Sequence, residues 1–322
     1  MENLILSIVN KDFSDLDRFF ISLADSGYLG HTCIFAGPNS DPTLMAKLAA
    51  DGVEIIRFDT TFPYVSDPHP HNFKSLPDPI ILFNYRYFLY YDYLLKNPGR
   101  FANVLLTDIR DVVFQRDPFE IITTDALYIA LENSTVDGCG YTGNWIRAGY
   151  GQSVLDEVKS MPLSCSGTTL GPAAHILRYL KAMVMEILKV RDAYHCFCQG
   201  IHNVLLHTGQ LEPTVRINNN DGLIMTVGGH MTSTELHQLR YDKQGYMLGK
   251  GSERSYIVHQ FDRHVSIILQ LDKFIFKSFL PIALSKRHFG LPTFRFLAEE
   301  YYRKSPVVMR VWRSLKQASG RR

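Results

Sequence analysis

Long hydrophobic runs are missing from this sequence. No stretch reaches the roughly 18 apolar residues of a membrane span. The opening run Leu4–Val9 is too short for a secretory signal core and has no basic flank. Cysteine is sparse: Cys33, Cys139, Cys165, Cys196 and Cys198 are odd in number and irregular in spacing. That excludes a complete disulfide framework and points to free thiols in a reducing compartment. Net charge is only +2 over 322 residues, which gives no general attraction for nucleic acid. Internal repeats and low-complexity segments are absent as well. What is present is an apolar fraction of 46% with 20% charged residues, enough for a large α/β core and unlike a disordered scaffold. The expectation is a cytoplasmic protein, or one that touches a membrane from its cytosolic face.

The first third alternates two hydrophobic periods. Leu4–Val9 is a short continuous apolar run, as in a strand buried on both faces. From Ser14 to Asp25 the apolar residues Leu16, Phe19, Phe20 and Leu23 recur at helical spacing. Thr32–Ala36 and Val53–Phe58 read as strands on either side of a helix at Thr43–Ala50. This β-α-β-α-β order predicts a doubly wound, mostly parallel sheet. A Pro- and His-rich loop at Thr60–Pro79 follows, long enough to be functional. The spacing then predicts a helix over Ile80–Lys96, stopped by Asn97-Pro98-Gly99, and a fourth strand at Asn103–Thr107. A more irregular half begins near Ser134, with helices near Pro172–Val190 and Cys196–His207.

The fourth strand delivers Asp108-Ile109-Arg110-Asp111. In open α/β sheets ligands bind just beyond the carboxyl ends of the strands. A turn through Ile109-Arg110 could aim both carboxylates at one cation, and hard oxygen ligands suit Mn²⁺ or Mg²⁺. The plain alternative is a turn-capping Asp108 with Arg110 in an ordinary surface bridge. Asp117-Pro118 with Glu120 reads as an N-cap, a first-turn proline and a capping-box glutamate.

Apolar strand, acidic motif, short strand and then Asp117-Pro118-Phe119 resembles the DxD region of the GT-A glycosyltransferases. Here the pattern is Asp-x-x-Asp, with Arg110 where a strict DxD from Asp108 would place its second acid. Measured back from Asp117-Pro118, Asp111 falls at the family's second Asp, so it ranks first as metal ligand and Asp108 second. Three further segments follow in order. Asn84–Leu94 resembles the helix before DxD, implying that Arg86 reaches the nucleotide or diphosphate. Cys198-Gln199 through Asn203 resembles the Asp-Gln-x-x-x-Asn helix near the donor sugar, with Cys198 in place of the usual Asp; Gln199 inherits the contact to the reacting region. Tyr256–His259 resembles the late strand whose His completes the metal site of retaining members, and Arg263 follows as a phosphate ligand. Each has a structural alternative: an Arg–carboxylate bridge for Arg86, mutual or loop hydrogen bonds for Gln199 and Asn203, a structural His259, and a pairing of Arg263 with Asp262.

The resemblance implies an α/β, GT-A-like doubly wound sheet with helices on both faces and a more irregular acceptor-side half. It implies a catalytic domain over residues 1–265, with its nucleotide part near 1–133 and its acceptor part near 134–265, then a helical extension over 266–322. The implied activity is metal-dependent sugar transfer from a nucleotide-diphosphate donor, a UDP-sugar foremost, to a glycan, lipid-linked or protein acceptor, leaning to retention. Asn10 and Asp59 at strand ends are nucleoside candidates, or turn formers. Cys165–Gly171 reads as a loop before a helix, where Gly167 and Thr168 could approach a sugar or phosphate, or where threonines cap the helix. Gly143-Asn144-Trp145 reads as a loop whose Trp stacks on an acceptor or is buried. His195–Cys198 lacks a second pair at zinc spacing and is not a zinc site. Tyr301–Arg322 holds seven basic residues and no acid. With Trp312 in an apolar stripe, it reads as a packed helix or a peripheral membrane contact. The competing functions are a nucleotidyltransferase, disfavoured by the absence of Gly in Asn10–Ser14, and an inactive binding scaffold of the same fold.

Overall fold

The computed structural model describes residues 1–10, 16–59, 82–190 and 197–275. The predicted opening is realised as β1 (Glu2–Val9), α1 (Asp17–Asp25), β2 (His31–Ala36), α2 (Pro42–Ala50) and β3 (Glu54–Arg57). Asp41 accepts from the amides of Thr43 and Leu44 and starts α2 with Pro42 in its first turn. Next come α3 (Leu82–Lys96), β4 (Phe101–Thr107), β5 (Val112–Phe114) and β6 (Leu127–Thr135). They are followed by α4 (Gly140–Tyr150), α5 (Gln152–Val158), β7 (Pro162–Pro172), α6 (Ala173–Lys189) and α7 (Cys198–His207). The last elements are β8 (Thr214–Ile217), β9 (Ile224–Thr226), α8 (Ser233–Gln238), β10 (Arg240–Tyr241), β11 (Met247–Leu248), β12 (Ile257–His259) and α9 (Val265–Ile275).

The fold is α/β. Seven strands form a central sheet in the order β3-β2-β1-β4-β7-β6-β8. β3, β2, β1 and β4 run parallel, β7 is antiparallel to both β4 and β6, and β8 is parallel to β6. Alternation along β1 fills both faces: Leu4 and Leu6 join the core under α3, α6 and α7, while Ile5 and Val9 join the core under α1 and α2. A second sheet, β5-β12-β9, lies beyond the end of β4 and packs its outer side on α9. A buried Arg18–Asp272 ion pair at 2.7 Å ties α9 to α1. Among the described residues no helix is long and apolar enough to cross a membrane.

Three local expectations are corrected. Cys165–Gly171 is not a loop but the middle of β7, buried between β4 and β6. Its small and hydroxylated residues imitate a turn, but paired on both edges they form an interior strand. Gly143-Asn144-Trp145 lies inside α4 rather than in a loop. Asp117 does cap, accepting from the Phe119 amide over a 3-10 turn, but Glu120 bridges Arg116 at 2.9 Å instead of closing a capping box. The division near residue 133 falls inside β6, and β7 and β8 belong to the same sheet as β1–β4, so the two parts share one framework. The loop at Thr60–Pro79 and the basic tail lie outside the described residues.

The register of β7 against β6 shifts where it matters: Ile129 opposes Thr169, but Leu131 opposes Ser164. Asn203 of α7 holds this irregularity, accepting from the Ser164 amide at 2.9 Å and donating to its carbonyl at 2.8 Å. It is fully buried. Asn203→Ala leaves both backbone groups without that partner and should lower the unfolding free energy by about 3 kcal/mol. Urea denaturation should show a lower midpoint at unchanged slope.

Candidate metal centre

The chain leaves β4 at Thr107 and turns through Asp108–Asp111 into β5. The Asp108 amide donates to the Gly167 carbonyl at 2.9 Å, so β7 fixes the start of the turn. β12 pairs antiparallel with β5, which sets His259 opposite Val112, and the Gln260 amide donates to the Asp111 carbonyl at 2.7 Å. One ligand atom each of Asp108, Asp111 and His259 then lies within 4.8 Å of the others. His259 Nε2 is 3.5 Å from Asp108 Oδ2 and 3.9 Å from Asp111 Oδ1.

Each carboxylate uses its other oxygen on an arginine. Asp108 Oδ1 accepts from Arg86 Nη1 at 2.5 Å, and Asp111 Oδ2 accepts from Arg263 Nη2 at 3.1 Å. One oxygen of each acid is thus left facing the imidazole. His259 is fully buried, and among the described residues neither of its ring nitrogens has a partner in hydrogen-bond geometry. A buried polar group without a partner is uncommon and calls for a ligand or a functional role. Gly167 completes the cradle: a Cβ there would sit 2.5 Å from both Asp108 Oδ2 and His259 Cε1. Two carboxylate oxygens and an imidazole fit a divalent cation, and the nitrogen favours Mn²⁺ over Mg²⁺.

The charges are interdependent. Burial alone would raise the Asp108 carboxyl, but Arg86 and His259 hold it well below the usual carboxylate range. Asp111 is pushed up by burial and by the negative Asp108 and Asp262. Burial would lower His259, yet the facing Cys165 sulfur, Asp108 and Asp111 raise it well above an ordinary histidine. The two acids thus favour positive charge beside them, which is also what a divalent cation would bring.

The other predicted residues divide into two groups. Arg86, 5% exposed, is at the centre; its Nη2 also faces Ser166 and the Cys198 sulfur at 3.6 Å. Arg263 and Arg110 bracket the acids, both bridging Asp262. Thr168 is buried beside β4, its hydroxyl without a hydrogen bond among the described residues. Gln199 is not brought to the acids: its amide donates to Thr142 of α4 at 3.0 Å, and Cys198 is the residue of α7 that reaches Arg86. Asn10 accepts from the Asn39 amide at 3.2 Å and closes a turn after β2, while the Asp59 carbonyl receives the Tyr85 hydroxyl at 3.0 Å.

Two side chains escaped the sequence reading. Gln260 adopts a left-handed φ of 58° beside His259 and donates to the Cys165 sulfur at 3.4 Å. For a residue other than glycine that backbone is strained, as is common at functional sites. Glu132 on β6 is 7% exposed and has no hydrogen bond or ion pair among the described residues. Burial raises its carboxyl to about 7, against the attraction of His259. Neither position carries a motif, and only the tertiary fold brings them here. Searches against protein-family profiles and against curated proteins find no match to this chain.

Gly167→Ala should displace Asp108 or His259 and weaken Mn²⁺ binding at least tenfold in isothermal titration, while circular dichroism stays native. Glu132 gives a separate test. Its folded carboxyl lies above the ordinary glutamate value of 4.5, so it costs stability as pH rises from 4.5 through about 7. Glu132→Gln should therefore raise the melting temperature by a few degrees near pH ~8 and leave it nearly unchanged near pH ~4.

Proposed function

We propose that this protein is a metal-dependent glycosyltransferase that moves a sugar from a nucleotide-diphosphate donor, a UDP-sugar foremost, to a hydroxyl-bearing glycan or lipid-linked acceptor. The observation that carries the reading is the convergence of Asp108 Oδ2, Asp111 Oδ1 and His259 Nε2 at the carboxyl end of β4, with Arg86 and Arg263 on the outer oxygens. Ligands of doubly wound sheets bind at this end of the strands. The order of acidic turn, Gln-bearing helix and late histidine supports the same class and a retaining outcome.

A bound Mn²⁺ or Mg²⁺ would supply Lewis-acid stabilisation of the diphosphate as the sugar departs. The chain's own residues do the rest. Asp108, Asp111 and His259 would hold the ion, and Gly167 leaves room for it. Arg86 keeps Asp108 ionised, and its charge favours the anionic leaving group from below the turn. Arg263, 39% exposed at its side chain, is placed on the solvent side of Asp111, where a phosphate would arrive. Cytoplasmic residence, with peripheral membrane contact through the basic tail, belongs to the same proposal and would suit a lipid-linked acceptor.

The test is thermal stability against UDP, GDP, ADP and their sugars, with and without Mn²⁺. A ligand that binds only the native state stabilises it by about 2.7 kcal/mol at a hundredfold excess over its dissociation constant. The expected result is a shift for one base that needs Mn²⁺ and is lost in Asp111→Asn, which stays folded. An equal shift in Asp111→Asn would refute the metal assignment. No shift for any nucleotide would favour an inactive scaffold, and release of pyrophosphate from a nucleoside triphosphate would favour a nucleotidyltransferase.

A further inference from the structure

A cleft of about 600 Å³ opens beside the end of β6, lined by Glu132, Ser134, Thr135, Asn218, Asn220 and Asp221 among others. Its volume suits one or two sugar rings. Amides, hydroxyls, two carboxylates and the apolar Leu131 and Pro162 line it, and among the described residues no lysine, arginine or histidine does. Two acids without a cation repel a phosphate-bearing ligand, whereas donors and acceptors in mixture match neutral hydroxyls. The amides are already fixed. Asn133 donates to Asn220 at 3.1 Å and to Glu235 at 3.0 Å, and Asn218 donates to Asp221 at 3.2 Å. Glu132 is the exception, a carboxylate 7% exposed that borders the cleft with no hydrogen bond or ion pair among the described residues. Its oxygens are not sealed from solvent, so a hydroxyl entering the cleft can donate to them.

The cleft adjoins the metal centre through two short links. Asn219, in its wall, brackets Thr226 with hydrogen bonds of 2.7 and 3.1 Å, and Thr226 is the sheet partner of His259. Leu131, the neighbour of Glu132, opposes Ser164, and the next residue, Cys165, is the one that Gln260 reaches. We propose that this cleft is the subsite for the acceptor sugar and that the Glu132 carboxylate receives a hydrogen bond from one of its hydroxyls. The assignment rests on the glycosyl-transfer reading for the word acceptor; the binding of a neutral sugar stands on the cleft alone.

Saturation-transfer NMR with methyl glycosides of the common hexoses, hexosamines and pentoses tests it, run with and without UDP and Mn²⁺. Wild-type protein should bind at least one glycoside. Glu132→Gln should weaken that binding about tenfold, since a charge-assisted acceptor is lost. Asn220→Ala, an exposed substitution that does not threaten the fold, should weaken it several-fold. Melting curves establish that both variants are native. Absence of binding to every glycoside, or wild-type affinity in both variants, would overturn the proposal. Sugar binding that depends on Glu132 in a protein showing no metal-dependent nucleotide shift would uphold the cleft and reject the transferase.

Discussion

Two carboxylates and an imidazole held within 4.8 Å of one another, with Asp111 and His259 buried and Asp108 partly open to solvent, are the constraint around which the structure is arranged. Like charges at that distance cannot both stay ionised in a buried place without compensation. The fold supplies it on the outside. Arg86 reaches from α3 to one acid, and Arg263 from the turn after β12 to the other. Because each arginine takes one oxygen, the remaining pair faces inward with His259. The surroundings push the three groups in different directions: Arg86 and His259 hold Asp108 low, burial and Asp108 raise Asp111, and the acids raise His259.

That arrangement accounts for the shape of the neighbouring strands. β7 enters the sheet antiparallel between β4 and β6 and passes directly behind the acids. A side chain at its point of closest approach would strike both Asp108 and His259, so Gly167 stands there. The register shift on its β6 edge, pinned by Asn203, turns Cys165 toward the centre, and bulges of this kind recur next to active sites. Beyond β12 the chain must bend at once to bring Arg263 back over Asp111. Gln260 takes the left-handed conformation there, and its amide bond to Asp111 ties the bend to the acidic turn.

The legible and illegible parts of the sequence separate on physical grounds. The strands and helices through β4 could be read because their signal is periodic burial, a local property of the chain. Asp108 and Asp111 were recoverable from residue type at a strand end, Arg86 and His259 only through the resemblance in motif order, and the structure brings all four together. β7 was misread because Ser166-Gly167-Thr168-Thr169 is small and polar for a reason external to the strand: it lines the site. The Gly- and Asn-bearing start of α4 was misread because Gly140, Gly143 and Asn144 weaken helix propensity, which packing on α5 and α7 overrides. Gln199 kept its place in the motif, but the helix turns it toward Thr142 while Cys198 faces Arg86. Glu132 carries no sequence signal, since a lone glutamate within a strand reads as solvent-facing until the fold encloses it.

The Asp-x-x-Asp spacing was, with Cys198, the sequence argument for an inactive scaffold. Its residues answer that argument. Ile109 is 3% exposed and joins the core under α1 and α2, so the turn is anchored by an apolar side chain at its first position. Arg110 at the second position points outward and pairs with Asp262 at 2.9 Å. The extra residue is absorbed by this alternation, inward at Ile109, outward at Arg110, inward again at Asp111, which is 5% exposed. Both acids therefore arrive beside His259, with one ligand atom of each within 4.8 Å of the others, and the wider spacing does not keep the carboxylates apart.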